Sequence, residues 1–447
     1  MNTLYRTRQL IVLIGDVFIL YITLILTLWL RYDKYFYREL IDVHFQPLTI
    51  VFIIWTIIFY IAGLYDLRFL KNDFEFKKTY VTTLIVNILI GIVFFYILQQ
   101  YFKITPRANL VIFFLIFSAI NYLWRHLYNF TLTKTDPMNR LLLIGSNEAA
   151  KEIANTLENH PQLGYKIKFW MQEGLQDKEF KHISQIILAN DINIIVIPAH
   201  LKKNQKAAKL IYQLMLLGIE VIDLTRLYEL IFRKVPLSEL EEVWFLENLV
   251  HKHRIYEFIM NPIERILAFI FIIVLSPLLL VISVIIKLTS HGPIIFKQDR
   301  MGKNEDIFTM YKFRTMPIDA ERNGPQWADY HRDKRATWFG SILRKTHLDE
   351  FPQLLNIIKG ELSFVGPRPE RPTFVDQLKK ELPYYDLRHL AKPGITGWAQ
   401  INFRYAASSL DAFEKLQYDI YYIKNNSLLL DFLIILKTLK FIVTNHS

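Results

Sequence analysis

The sequence predicts a membrane protein in three parts: an N-terminal bundle of four transmembrane helices, an α/β Rossmann-like cytoplasmic domain, and an α+β domain tied to the membrane by a re-entrant helix broken at Ser276-Pro277. Three observations predict it. Four long, nearly uncharged blocks lie near the N-terminus; short apolar runs alternate with amphipathic stretches after residue 139; and a fifth apolar block carries a proline at its centre and basic residues on both flanks. The expected boundaries are 1–135, 136–250 and 251–447, with the re-entrant helix at 264–288.

The four blocks span roughly 9–30, 46–65, 79–101 and 108–128, each long enough for a helix of about 20 residues to cross a bilayer. The first follows Arg6 and Arg8, but its apolar core is longer than the roughly 7–15 residues of a signal peptide, so a retained anchor is expected. Arg68, Lys71, Lys77 and Lys78 follow the second block, and Arg125, Lys134 and Arg140 follow the fourth. Fewer basic residues follow the first and third (Arg31, Lys34, Arg38; Lys103, Arg107). Basic loops stay inside, which places the N-terminus and all that follows the fourth helix in the cytoplasm.

From 139 to 224, strands are expected at Leu141 to Ile144, Tyr165 to Trp170, Ile192 to Ile197 and Ile219 to Ile222, with helices around 147–158, 178–188 and 203–217. Such alternation argues for a parallel sheet. The first turn, Gly145-Ser146-Asn147, has one glycine where a dinucleotide site needs three, so a helix capped by Ser146 or Asn147 is expected and no cofactor is assigned there. Residues 225–262 read as a charged connector.

The fifth block, Ile266 to Leu288, has His251, Lys252, His253, Arg254 and Arg265 before it and Lys287, Lys297, Arg300 and Lys303 after it. Both flanks are cytoplasmic by the same rule, and proline removes a helix hydrogen bond, so a helix that enters, bends at Pro277 and leaves by one face fits the pattern. Near the C-terminus, Leu428 to Lys440 is too short and too charged to span comfortably, and is read as an interfacial or packed helix.

Composition narrows the chemistry. The chain has no cysteine, which removes disulfides, thiolate catalysis and cysteine-ligated metals. Its formal net charge of +11 suits nucleic acid, anionic lipid or a phosphorylated substrate; beside membrane helices the last two are favoured, and no nucleic-acid partner is expected.

Four motifs gather in the last third: Phe296-Lys297-Gln-Asp-Arg300-Met-Gly302; Tyr311-Lys312-Phe313-Arg314-Thr315-Met316; the acidic pair Asp349-Glu350 between Arg344 and Arg368; and Lys392-Pro-Gly394-Ile-Thr-Gly397-Trp398-Ala-Gln400. Taken alone, Asp349 reads as part of a capping box with Thr346, and Pro352 as the first turn of a helix running to Lys359 with Gly360 as its cap. Its neighbours argue for more. Guanidinium groups bind phosphate oxygens bidentately, and the Gly366-Pro-Arg-Pro turn restricts where Arg368 points. Carboxylates beside such cations stay ionised, which suits a nucleophile or a metal ligand. A carboxylate that attacks phosphorus gives an acyl phosphate and divides one transfer into two steps, with a divalent cation offsetting repulsion.

On these motifs, with Val365-Gly-Pro-Arg-Pro369 and the Ser276-Pro277 pair, the sequence resembles the bacterial sugar transferases, polyprenyl-phosphate phosphoglycosyl transferases of the large monotopic type with four N-terminal membrane helices. The resemblance implies transfer of a sugar-1-phosphate from a UDP-sugar to undecaprenyl phosphate at the cytoplasmic face of the bacterial inner membrane, with UMP released. It implies Asp349 as nucleophile and Mg2+ contact, and Glu350 as its partner in catalysis and at the metal. Arg344, Arg368, Lys312 and Arg314 are the implied phosphate-binding residues, and Ser276 and Pro277 the helix break. It further implies contact with membrane lipid, a possible homodimer and downstream glycosyltransferases, in exopolysaccharide, capsule or O-antigen assembly. Two positions depart from the pattern: Met260-Asn261 replaces a basic pair, with Glu264 in place of a common aspartate, and Phe403 stands where glycine is frequent.

Overall fold

The computed structural model describes residues 3–32, 38–97, 107–134, 137, 139–172, 180–203, 205–216, 218–249, 253–317, 320, 335–403 and 408–444. Lys34, Lys103, His251 and Lys252, used above for orientation, lie outside the described residues, as do positions 98–101 of the third block and 178–179, 204 and 217 of the predicted helices. The chain divides into two compact units, Met1–Ile231 and Phe232–Ser447.

The first unit opens with α1 (Thr3–Tyr32), α2 (Arg38–Ile61), α3 (Phe74–Ile97) and α4 (Arg107–Lys134), each holding a stretch long and apolar enough to cross a membrane. The helices touch through aromatic rings: Phe52 of α2 stacks on Phe113 of α4 at 5.3 Å between centroids, and Trp55 lies 5.7 Å from Phe117. Arg125 is not a solvated flank. It is buried on α4 and ion-paired with Asp16 of α1, while its Nη1 donates to the Leu64 carbonyl at 2.8 Å. Asn121 donates to Asp16 at 2.8 Å and accepts from Tyr80 of α3 at 2.9 Å, so one polar cluster ties three helices and a connection together. Ionisable groups at such depth persist only when paired.

A parallel sheet follows, in the order β2-β1-β3-β4, from β1 (Asn139–Ile144), β2 (Tyr165–Met171), β3 (Ile194–Ile197) and β4 (Glu220–Asp223). Between them run α5 (Glu148–Asn159), α6 (Phe180–Ala189) and α7 (Gln205–Leu216). β1 and β3 are buried on both faces, which explains their unbroken apolar runs. Asn147 caps α5, accepting from the Ala150 amide at 2.9 Å.

The stretch 225–262 is not a charged connector. It forms α8 (Leu224–Phe232), α9 (Glu242–Leu249) and the start of α10 (His253–Thr289). Val235, Leu237, Leu240, Phe245 and Leu249 enter the core of the second unit beside Val375, Trp398 and Ile420, so packing puts the division at 231/232 rather than at 250/251. The apolar periodicity of these residues was masked by the charges between them.

α10 is helical throughout, with Pro262 and Pro277 inside it, so the break expected at Ser276-Pro277 takes the form of a proline site within one continuous helix. Pro277 cannot donate to the Ile273 carbonyl four residues back; the Ser276 hydroxyl donates to it instead, at 2.7 Å. Both ends of α10 are bound to the body that follows. Asn261 accepts from Lys392 at 3.0 Å, Glu264 accepts from Ser363 Oγ at 2.5 Å, and Ile282 and Ile286 pack with Phe313 and Leu343. The first of the two departures, at Asn261 and Glu264, thus supplies anchoring contacts.

That body holds an antiparallel hairpin, β5 (Ile295–Met301) and β6 (Ile307–Phe313), then α11 (Trp338–Lys345), α12 (Leu354–Lys359), β7 (Ser363–Val365), α13 (Pro372–Glu381), β8 (Gly394–Thr396), α14 (Trp398–Asn402), α15 (Ser409–Asn425) and α16 (Leu428–Thr444). β7 and β8 pair in parallel. The unit mixes helices with two small two-stranded sheets, in keeping with the α+β expectation.

Candidate active site

Three segments bring Lys312, Glu350 and Arg368 together. Lys312 is the next-to-last residue of β6, Arg344 lies in the last turn of α11, Asp349 and Glu350 lie on a 3-10 turn, Leu348–Gln353, and Arg368 follows β7. The capping box read at Thr346 does not form: Thr346 closes α11, its hydroxyl donating to the Ile342 carbonyl at 2.9 Å, and His347 enters the turn at φ +55°. Pro352 falls inside that turn, α12 then runs to Lys359, and Gly360 caps it at φ +83°, a conformation that favours glycine.

A residue the sequence reading passed over holds the acidic turn in register. Asn356, fully buried on α12, accepts from the Tyr311 amide at 3.1 Å and donates to the Thr309 carbonyl at 2.8 Å. Both ends of its amide are spent on β6, which sets the turn beside Lys312. Gly340 then lets α11 approach, since a Cβ there would lie 2.1 Å from the Thr315 carbonyl oxygen.

Asp349 and Glu350 are both buried, at 2 % and 7 % exposure. Lys312 Nζ lies 2.7 Å from Glu350 Oε1, and Arg368 Nη2 lies 3.3 Å from the same oxygen. Burial pushes the Glu350 carboxyl up, but Lys312 and Arg368 together outweigh it and hold the group ionised, well below the usual carboxylate range. Burial also lowers Lys312, against the pull of Glu350. Arg314 faces elsewhere: its Nη2 donates to the Ser290 carbonyl just past α10, at 2.7 Å, and ties that helix to β6. Its Nε and Nη1 are buried and find no acceptor among the described residues.

Behind Arg368 lies a second charged group that no motif had marked. Arg388 is buried with Asp419 of α15 at 2.9 Å. Lys415, one turn before Asp419, is pulled down by burial and by Arg368, with Glu370 opposing. The i, i+4 spacing of Lys415 and Asp419 was the signal available.

For a divalent cation, no group of three or more His, Asp or Glu side chains with suitable geometry forms among the described residues. Mg2+ asks less than that, since it keeps waters and takes one or two carboxylates plus substrate phosphates. Adjacent buried carboxylates fit that demand. Of the two, Glu350 Oε1 is taken by Lys312 and Arg368.

Fold and site together define a class: a membrane-associated protein whose mixed α/β domain buries a carboxylate pair among lysine and arginine. A family model described as bacterial sugar transferase matches residues 255–445. A UDP-N-acetylgalactosamine-undecaprenyl-phosphate N-acetylgalactosaminephosphotransferase of Aeromonas hydrophila is 47 % identical over 190 residues, 42 % of this chain and 45 % of that one. A UDP-glucose:undecaprenyl-phosphate glucose-1-phosphate transferase of Klebsiella pneumoniae is 32 % identical over 317 residues, 67 % of this chain and 66 % of that one. An uncharacterized sugar transferase of Bacillus subtilis, EpsL, is 40 % identical over 171 residues, 38 % of this chain and 80 % of that one. The chain spans under half the length of the Aeromonas relative. It belongs to the bacterial sugar transferase family.

Proposed function

We propose that this chain transfers a sugar-1-phosphate from a UDP-sugar to undecaprenyl phosphate, releasing UMP. The observation that carries the reading is the buried Asp349-Glu350 turn faced by Lys312 and Arg368 in a membrane-associated domain; the printed activities of the Aeromonas and Klebsiella relatives support it. Asp349 attacks the phosphorus that bears the sugar, forming an acyl phosphate while the bond to UMP breaks. An oxygen of undecaprenyl phosphate then attacks the same phosphorus, the bond to Asp349 breaks, and the sugar leaves on a lipid diphosphate. Lys312, Arg344 and Arg368 bind the phosphates and the charge that gathers in each transition state. Glu350 keeps Lys312 and Arg368 aimed into the site. A Mg2+ ion held by Asp349, with Glu350 beside it, would supply further charge neutralisation.

We place the reaction at the cytoplasmic face of the inner membrane. α1 to α4 would form the transmembrane bundle, and α10 a re-entrant helix. Its contacts with the α/β body run from Asn261 to Ser290, an arrangement that supports entry and exit by one face. A homodimer, and glycosyltransferases that extend the lipid-linked sugar in exopolysaccharide, capsule or O-antigen assembly, complete the reading. The test is UMP release in nanodiscs with Mg2+, undecaprenyl phosphate and a panel of UDP-sugars. Release with one donor, abolished in Asp349→Asn, is expected; turnover retained by that variant would overturn the mechanism.

A further inference from the structure

The loop Gly366-Pro367-Arg368-Pro369-Glu370 is held by its backbone on every side. The Gly366 amide donates to the Thr396 carbonyl at 2.8 Å, and the Pro367 carbonyl accepts from the Gly394 amide at 3.0 Å. Pro369 O accepts from Arg300 Nη1 at 3.1 Å, and Glu370 O from the Met301 amide at 2.9 Å. Between them, Arg368 O accepts from Arg388 Nη2 at 3.0 Å.

Proline fixes φ at 367 and 369, and Pro369 confines Arg368 to extended backbone. Arg388 holds the Arg368 carbonyl in that extended setting. The Arg368 side chain is 40 % exposed, so little packing aims it; its contact with Glu350 and the place of its backbone direct it together. Arg388 is itself held by two residues. It is ion-paired to Asp419, donates to the Tyr385 hydroxyl, and lies 5.1 Å over the Tyr385 ring. A buried ion pair contributes little net stability once desolvation is counted, so a geometric role is the better account of this one.

We propose that the Arg388–Asp419 pair is the positioning device of the site: it touches no substrate, and it fixes the Arg368 backbone so that the guanidinium meets Glu350 and the substrate phosphate. The proposal rests on the transferase reading above, and its test separates the two. UMP release is measured for wild type, Arg388→Lys, Arg368→Ala and the double variant, together with hydrogen exchange of the amides in 364–371. Lysine keeps the charge for Asp419 but cannot also fork to the Arg368 carbonyl. Arg388→Lys is expected to lower kcat/KM by about tenfold or more and to speed exchange in 364–371 while 148–159 is unchanged. In the Arg368→Ala background the same substitution is expected to cost less than about twofold.

An equal loss in both backgrounds, or unchanged exchange in the loop, overturns the proposal. If wild type releases no UMP with any UDP-sugar, the transferase reading fails and the exchange data alone decide the positioning. If Arg388→Lys does not fold, the nearly isosteric Asp419→Asn is read in the same cycle with the same two outcomes.

Discussion

At the scale of single residues, Glu350 matters most for what it keeps in place. One of its oxygens takes both Lys312 and Arg368, and all three side chains come from different segments. Removing the carboxylate would leave Lys312 buried and uncompensated, a change that typically costs about 3–5 kcal/mol. Glu350→Gln is therefore expected to destabilise the second unit by that order in thermal or denaturant unfolding, and adding Lys312→Met should restore much of it. Because the folded carboxyl is depressed, its contribution is present above its ordinary value of 4.5 and is lost as pH falls through the folded value. Acid should thus weaken the wild type, and Glu350→Gln should lack that part of the slope. Lys312 and Arg368 were legible from their motifs because cations beside a carboxylate pair are a chemical pattern. Asn356, Arg388 and Asp419 were not, since a lone Asn or an ion pair 31 residues apart has no local signature.

At the scale of elements, α16 docks through a buried carboxylate. Asp431 accepts from the Tyr256 hydroxyl of α10 and from the Tyr422 hydroxyl of α15, the latter at 2.9 Å, so one side chain joins three helices. Burial raises Asp431 to about 6, with the two tyrosine hydroxyls opposing. A raised carboxyl contributes stability that is full below its ordinary value of 3.8 and is lost as pH rises through about 6. Between pH 7.5 and pH 5 the wild type should therefore gain thermal stability from this group, and Asp431→Asn should remove that gain. Melting curves of both proteins across that range decide it. The amphipathic character of this helix was readable, but its partners were not.

At the scale of the whole chain, the division at 231/232 has a direct consequence. A fragment starting at 232 keeps Val235, Leu237, Leu240, Phe245 and Leu249 in the core, the Lys234–Glu414 ion pair at 2.8 Å, and the bond from Trp398 Nε1 to the Arg233 carbonyl at 2.9 Å. A fragment starting at 253 loses them all. Each buried apolar side chain contributes about 1.5–3 kcal/mol, and the loss is comparable with the ~5–15 kcal/mol that stabilises a whole domain. Unfolding of the two fragments in detergent should show a cooperative transition for 232–447 and a far weaker one, or none, for 253–447. Equal melting of both would mean that this segment is not part of the core.

The sequence by itself determined the apolar blocks, the parallel βα alternation and the chemical content of the site, because periodicity, hydropathy and motif spacing are local properties of a chain. It marked Gly360 as a helix cap and Asp349-Glu350 as a pair kept among cations. Only the tertiary structure decided where Arg125 and Arg314 turn, that Ser276 satisfies the carbonyl Pro277 leaves open, and that residues 232–249 belong to the second unit. Each of these depends on which distant group lies opposite a side chain once the elements pack. Burial turns that proximity into ion pairs and satisfied carbonyls, and no pattern along the chain encodes it.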